Sequence, residues 1–356
     1  VETAPEAVAR VIPELTPQKP GPGLPMAFVW IVLFFAIQFA VVIGIAMAVM
    51  IGHVVVQGRA GIAAGQQAIR QPGIVLSLGT FAVLVSILTI TGLALRTRFR
   101  RALAVRLPTL THVILVCLLA PPLYLLVLQV AVWAMTILPE IGILKDLEET
   151  VKNAPYALVL IGGAVMPGVS EEILCRGFLG RGLVARWGPV LGILFTSMLF
   201  GLIHIEPVQI CYAAFIGVIL HVVYLSSKSL LAPMLLHALN NAIAFSPTAL
   251  KDSVPQLSEV MNRWEHEGAM PLVVLMPAVL AVATLLILFR QTQVRWYRDD
   301  GEPWDPGYVT AEMPPRRVNP RARAGSPKLW TVLLAALAYL TFVVVMLQQL
   351  DMLPSL

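Results

Sequence analysis

Apolar residues run along this chain in blocks of about twenty, without the strict apolar and polar alternation of a half-buried strand. Hydrocarbon satisfies no backbone donor or acceptor, so blocks of this length predict membrane-crossing helices rather than barrel strands. The pattern places spans at about 27–52, 74–95, 112–138, 156–184, 187–205, 207–226, 229–247, 271–290 and 329–349. The expected fold is therefore an all-α, polytopic transmembrane bundle of eight or nine spans. Pro121 and Pro122 are expected to kink the third span, and Pro167-Gly168 to break the fourth, which is longer than one crossing needs.

The polar stretches divide the chain. Residues 1–25 carry six prolines and read as a disordered cytoplasmic tail, not a cleavable signal. Residues 26–155 hold the N-terminal spans, the basic loop "RTRFRRALAVR" and an interfacial segment over 139–155. The polar core is expected within 156–247, followed by an external loop and span over 248–290. Residues 291–328, with "DDGEPWDPGY" and "PPRRVNPRARAGSPK", read as a flexible cytoplasmic linker, and 329–356 as the last span.

Composition agrees with a membrane solvent: 58% of residues are hydrophobic and 13% charged, against about 45–50% and 25% in soluble domains. The net charge of +5 is a matter of loop asymmetry rather than nucleic-acid binding. With the N-terminus inside, nineteen Lys and Arg fall on the cytoplasmic side and six outside, which leaves the C-terminus external in a nine-span chain. Cys117, Cys175 and Cys211 lie in membrane stretches without metal-like spacing and read as packing residues. Nothing in the pattern sets an oligomeric state.

Ionisable residues inside a bilayer are costly and tend to mark function, and three clusters of polar residues stand out. In "PGVSEEILCRG", Glu172 and Arg176 share a helix face at i,i+4, while Glu171 points about a quarter-turn away, so one carboxylate can be neutralised and the other left free. In "FGLIH", Phe200 and His204 are one turn apart; in "HALNN", His237 and Asn241 share a face and Asn240 is offset. Singly, each has a plain structural account: a snorkelling ion pair, an interfacial histidine, or polar side chains bonding neighbouring helices. Together they form a convergent polar site, because three helices within some 70 residues supply a carboxylate, two imidazoles and an amide. A carboxylate and an imidazole can hold and deprotonate water, while a second imidazole and an amide can donate to an oxyanion.

In that order, Glu171-Glu172-Ile-Leu-Cys-Arg176, Phe200-Gly-Leu-Ile-His204 and His237-Ala-Leu-Asn-Asn241 resemble the signature of the CAAX-protease and bacteriocin-processing (CPBP, or Abi) intramembrane endopeptidases, which include the type II CAAX prenyl endopeptidase. The resemblance covers about 156–247 and departs at Cys175, where the family has an aromatic residue. It implies an endopeptidase acting in the lipid bilayer on a membrane-associated or prenylated protein or peptide. Glu171 would be the general base and would polarise water with His204; His237 and Asn241 would stabilise the oxyanion; Glu172, Arg176 and Phe200 would order the site. A zinc-dependent version would use Glu171, His204 and His237 as ligands; the resemblance favours the metal-independent one, with no cofactor. A non-catalytic immunity or scaffold relative, and a transporter, are the competing classes. His53, His112, His221 and His266 fall outside the motifs.

One spacing is awkward. At about 1.5 Å per residue, His204 lies roughly 26 Å along a span that begins at 187, whereas His237 lies roughly 12 Å into a parallel span that begins at 229. The site closes only if a span limit shifts or a helix tilts or is short.

Overall fold

The computed structural model describes residues 20–95, 102–139, 141–250, 253, 255–312, 314 and 321–352. Most of the expected tail, the arginines at 96–101 and residues 315–320 lie outside the described residues. The chain folds as α1 (Leu24–Gln57), α2 (Gly61–Ile69), α3 (Pro72–Leu95), α4 (Leu110–Ile137), α5 (Ile143–Asn153), α6 (Tyr156–Leu202), α7 (Pro207–Ser227), α8 (Leu231–Ala249), α9 (Pro255–Glu267), α10 (Leu272–Gln291) and α11 (Leu329–Gln349). A short antiparallel pair, β1 (Val294–Tyr297) with β2 (Arg321–Ala324), lies in the connection between α10 and α11.

Seven helices among the described residues are long and apolar enough to cross a membrane. The protein is an integral multi-pass membrane protein with an all-α bundle fold. Lipid-facing positions stay apolar: Val190, Leu194 and Met198, spaced by one turn on α6, are all exposed. The helix α8 falls short of the seven because its inward face carries His237, Asn240 and Asn241.

At 47 residues α6 would be about 70 Å long if straight, more than twice a bilayer core. It bends back instead at Gly188, whose φ of 76° and ψ of 176° lie in a region essentially reserved for glycine. Trp187 and Phe195 pack edge to face across the bend, with ring centroids 4.5 Å apart. The expected break at Pro167-Gly168 is absent: the helix continues through both residues, and Met166–Glu172 is regular. Irregularity appears on either side of it, as π-helical turns over Val159–Val165 and Ile173–Leu179. Such turns recur at functional sites, where they re-aim side chains. The helix α4 likewise runs through Pro121 and Pro122.

The awkward spacing closes through the α7–α8 turn. Rather than emerging at the bundle end, the turn climbs inside it: Ser229 and Leu230 are fully buried. Leu230 N–H donates to Ala104 O at 3.0 Å and its side chain packs beside Gly177, one residue from Arg176. So α8 begins close to the depth of Arg176, and His237 needs less than two turns to reach the site. Gly168 completes the approach, since a Cβ there would lie 2.9 Å from Ala238 N.

Candidate active site

The first arm of α6, the end of its second arm, and α8 bring the three motif clusters to one place. Glu171 Oε2 lies 3.6 Å from His204 Nε2 and 3.9 Å from His237 Nε2. Glu172, adjacent in sequence, turns the other way. Its Oε1 accepts from Arg176 Nη1 at 2.6 Å and pairs with His237 Nδ1 at 3.0 Å, with all three side chains buried. Arg176 also donates to Gly217 O at 2.8 Å and its guanidinium lies 4.4 Å over the Phe200 ring. That ring meets His204 and His237 edge to face, at 5.1 and 5.6 Å. Phe200 is thus the common floor of both imidazoles and the cation.

Hydrogen-bond partners assign the tautomers. His237 Nδ1 faces a carboxylate that is ion-paired with Arg176, and His204 Nδ1 faces Phe200 O at 2.9 Å. Both partners only accept, so both Nδ1 atoms carry the proton and donate. In neutral imidazoles each Nε2 is then a bare lone pair, and both are turned toward Glu171 Oε2, a buried acceptor with no partner of its own. Three acceptors converge on a point that calls for a donor. A water molecule, donating to the carboxylate and to one imidazole, meets that need.

His204 is held by strain as well as by hydrogen bonding. Ile205 adopts φ of 67°, costly for a β-branched residue by about 1–3 kcal/mol. The following Glu206 is buried and its Oε1 accepts from Ile141 N–H at 3.1 Å, pinning the turn to the segment before α5. The sequence motif ends at His204 and gave no signal for this brace.

The cluster sits at the inner end of a cavity of about 450 Å³. Asn241 lines it and donates to Gly163 O at 3.4 Å, a long bond that leaves the amide able to turn. Asn240, offset in the sequence reading, also lines it, and its Oδ1 is buried without a partner. Tyr212 and Gln209 from α7, Glu148 from α5 and Glu265 from α9 complete the polar wall. None of these four belongs to a motif, and only Glu148 lies in a stretch, 139–155, that the sequence marked out, as an interfacial segment. Cys175 is buried, with no place on the cavity wall. His221 lies behind the site, fully buried with neither ring nitrogen bonded.

Residues 153–243 match the family model described as type II CAAX prenyl endopeptidase Rce1-like. Over that segment the chain is similar to CAAX-type membrane proteases. The matched segment spans α6 and α7 and reaches Ile243 in α8, so it contains every motif residue. No curated protein and no solved structure matches the chain. The similarity rests on the motif order and the family model, with about three quarters of the chain outside the match.

A catalytic zinc takes three protein donors about 2.0–2.2 Å from the ion and keeps a fourth position for water. Among the described residues no group of three His, Cys, Asp or Glu side chains is arranged to hold a metal ion. No step is routed through a metal below.

Proposed function

We propose that the protein is an intramembrane endopeptidase that hydrolyses a peptide bond of a membrane-associated protein or peptide, prenylated substrates included, with water activated by Glu171. The observation that carries this reading is the convergence of Glu171 Oε2 and two imidazole Nε2 atoms within 4 Å at the end of a cavity. Water donates to Glu171 Oε2 and His204 Nε2. The carboxylate removes one proton as the water oxygen attacks the carbonyl carbon. Asn241 Nδ2 donates to the oxyanion; His237 Nε2, a lone pair in the resting site, joins it after taking a proton from cavity water, and the imidazolium so formed faces Glu172 at Nδ1, as a catalytic histidine faces its buried carboxylate. Collapse breaks the C–N bond, and the proton held by Glu171 passes to the departing amine. Every role is filled without Ser or Cys as nucleophile.

The test is cleavage of a fluorogenic farnesylated CAAX peptide, and of an unprenylated peptide panel, by the detergent-purified chain. Glu171→Gln should lower turnover by about 10²–10⁴-fold, the usual contribution of a general base, with the thermal unfolding midpoint retained. A Glu171→Gln enzyme that keeps its activity would remove the mechanism. Chelators should leave turnover unchanged; loss on chelation with recovery on adding zinc would replace this reading with the metal-dependent one.

A further inference from the structure

We infer that the β1–β2 pair is a binding surface for the anionic headgroups of the bilayer that α10 and α11 cross. The inference is independent of the protease reading, because the pair lies outside the matched segment and lines no part of the cavity.

The connection that carries the two strands is fixed in place. Lys228 Nζ donates to Thr310 O at 2.6 Å, Arg181 donates to Glu312 Oε2 at 2.7 Å, and Arg106 Nη2 donates to Ala311 O at 3.3 Å. These contacts form a seal between the connection and the bundle. At its base the strand pair is tied to both helix ends. Gln291 Oε1 accepts from Lys328 N–H at 2.9 Å, and Gln291 Nε2 donates to Thr331 Oγ1 at 2.9 Å. One rung, Val294 opposite Ala324, stands between that base and Arg295.

Alternation sorts the side chains of such a pair onto two faces. Val294 and Trp296 turn inward, the first buried and the second 4.5 Å beneath the Arg106 guanidinium. Arg295 and Tyr297 therefore share the outer face with their cross-strand partners, Arg323 and Arg321. The register sets Arg295 directly opposite Arg323, and like charges in that relation repel. Arg295, Arg321 and Arg323 are all exposed, and no carboxylate among the described residues lies within ion-pair distance of them. Arg323 lies over the Tyr297 ring, 5.0 Å from its centroid, which keeps its charge on this face. Asp305, which follows the pairing of Trp304 with Trp296 at the other edge of β1, turns its Oδ1 to Gly307 N–H at 2.8 Å.

Charge is graded along the pair. Arg290, Arg295, Arg323 and Lys328, all exposed, lie toward the helix ends. Asp299, Asp300 and Glu302 cluster at the far turn, where Asp300 pairs with Arg298 at 3.8 Å. The basic end meets a lipid-facing surface: Leu329, Trp330 and Leu333 at the start of α11 are exposed, and Trp330 has the place of an interfacial aromatic anchor. Arg295 is four residues past Gln291, within about 14 Å of chain, which puts its guanidinium in reach of the phosphate layer. A cationic face with an unrelieved like-charge pair, held just beyond that tryptophan, is complementary to lipid phosphates.

The test uses the full chain in neutral detergent. It is titrated with dioleoylphosphatidylglycerol or with dioleoylphosphatidylcholine, and bound lipid is counted by native mass spectrometry. Phosphatidylglycerol should bind the more tightly, with an affinity that falls as salt is raised. Arg295→Gln, Arg321→Gln and Arg323→Gln together should weaken its tightest site by about 10²-fold, at about fivefold for each cation near an anionic surface. Lys at the same three positions should keep most of that affinity. In phosphatidylcholine alone the Gln variant should unfold at the wild-type temperature or slightly above, since Arg295 and Arg323 no longer oppose each other. Equal affinity for the two lipids, unchanged phosphatidylglycerol binding in the Gln variant, or equal loss in the Lys and Gln variants overturns the inference. So does a poly-Glu peptide that binds the chain in nanodiscs equally well with and without phosphatidylglycerol, which would assign the face to a soluble acidic partner.

Discussion

Arg176 and Arg181 lie five residues apart on the same arm of α6, and both are buried, yet they are satisfied in opposite ways. Arg176 is closed locally, by Glu172 one turn earlier, a carbonyl of α7 and the Phe200 ring. Arg181 reaches 131 positions along the chain to Glu312 and leaves Nε and Nη1 without a partner among the described residues, against Nε alone on Arg176. The first arginine is part of the machinery that orients His237; the second fastens the polar connection onto the bundle. A buried cation in this protein thus marks either the site or the seal, and its partner's distance in sequence tells which.

The largest effect that distinguishes them is expected from Arg176→Ala. It leaves the buried Glu172 carboxylate with His237 Nδ1 but without its cation, and removing one partner of a buried ion pair typically costs about 3–5 kcal/mol. Thermal unfolding in detergent should show a drop well beyond that of Arg181→Ala. Exchanging the pair, with Glu172→Arg and Arg176→Glu together, should recover much of that stability, because the i,i+4 geometry survives. Turnover should remain lost, since His237 Nδ1 would then face a cation. Equal losses of stability for Arg176→Ala and the exchange would show that pairing is not what Glu172 and Arg176 contribute.

Arg181→Ala and Glu312→Gln are expected to be milder, each about 1 kcal/mol or less, because the Glu312 side chain is 29% exposed and its pair is open to solvent and salt. Raising the salt concentration should erase the coupling between Arg181 and Glu312 in a double-mutant cycle while leaving that of Glu172 and Arg176 in place. A salt-sensitive Arg176 would break the comparison.

This contrast also explains what the sequence could and could not say. Helix positions, the Glu172–Arg176 pair and the stacking of Phe200 with His204 are i,i+4 relations, so they can be read along one helix. The Gly188 reversal was read as a boundary between two spans at nearly the right residue. Hidden were the features set by other segments: the π-helical turns around Glu171, the rise of the α7–α8 turn that brings His237 to depth, and the bond from Ile141 to Glu206. The same holds for the connection over 291–328, read as a mobile linker. Its described part pairs β1 with β2, places Trp296 4.5 Å beneath the Arg106 guanidinium, and docks Thr310, Ala311 and Glu312 onto the seal. No local periodicity encodes those contacts.

A smaller effect concerns His221, next to the Arg176 arm but outside the motifs. Both its nitrogens are buried without partners, so the ring is desolvated without compensation. His221→Leu should leave stability unchanged or slightly raised, because an apolar group of similar volume removes an unsatisfied polar one. Turnover should persist. A strong loss of turnover with intact folding would extend the site through Arg176 to the far side of α6.

A last effect is a pH dependence at the Lys228 turn. Burial, reinforced by the charge of Arg106, pushes the Lys228 amine down to about 8. In the unfolded chain it keeps its usual value near 10.5, so between these two values the unfolded state binds a proton that the folded state has released. Stability from this residue therefore rises with pH across about 8 to 10.5 and is flat below it, because there both states are charged. Lys228→Met removes the titrating group while keeping the length of the side chain. It should flatten that part of the unfolding profile, and it should leave the response to Arg176→Ala untouched, because the seal and the site are held by different partners. A Lys228→Met protein that keeps the same slope from pH 8 to 10.5 would assign the dependence to another group.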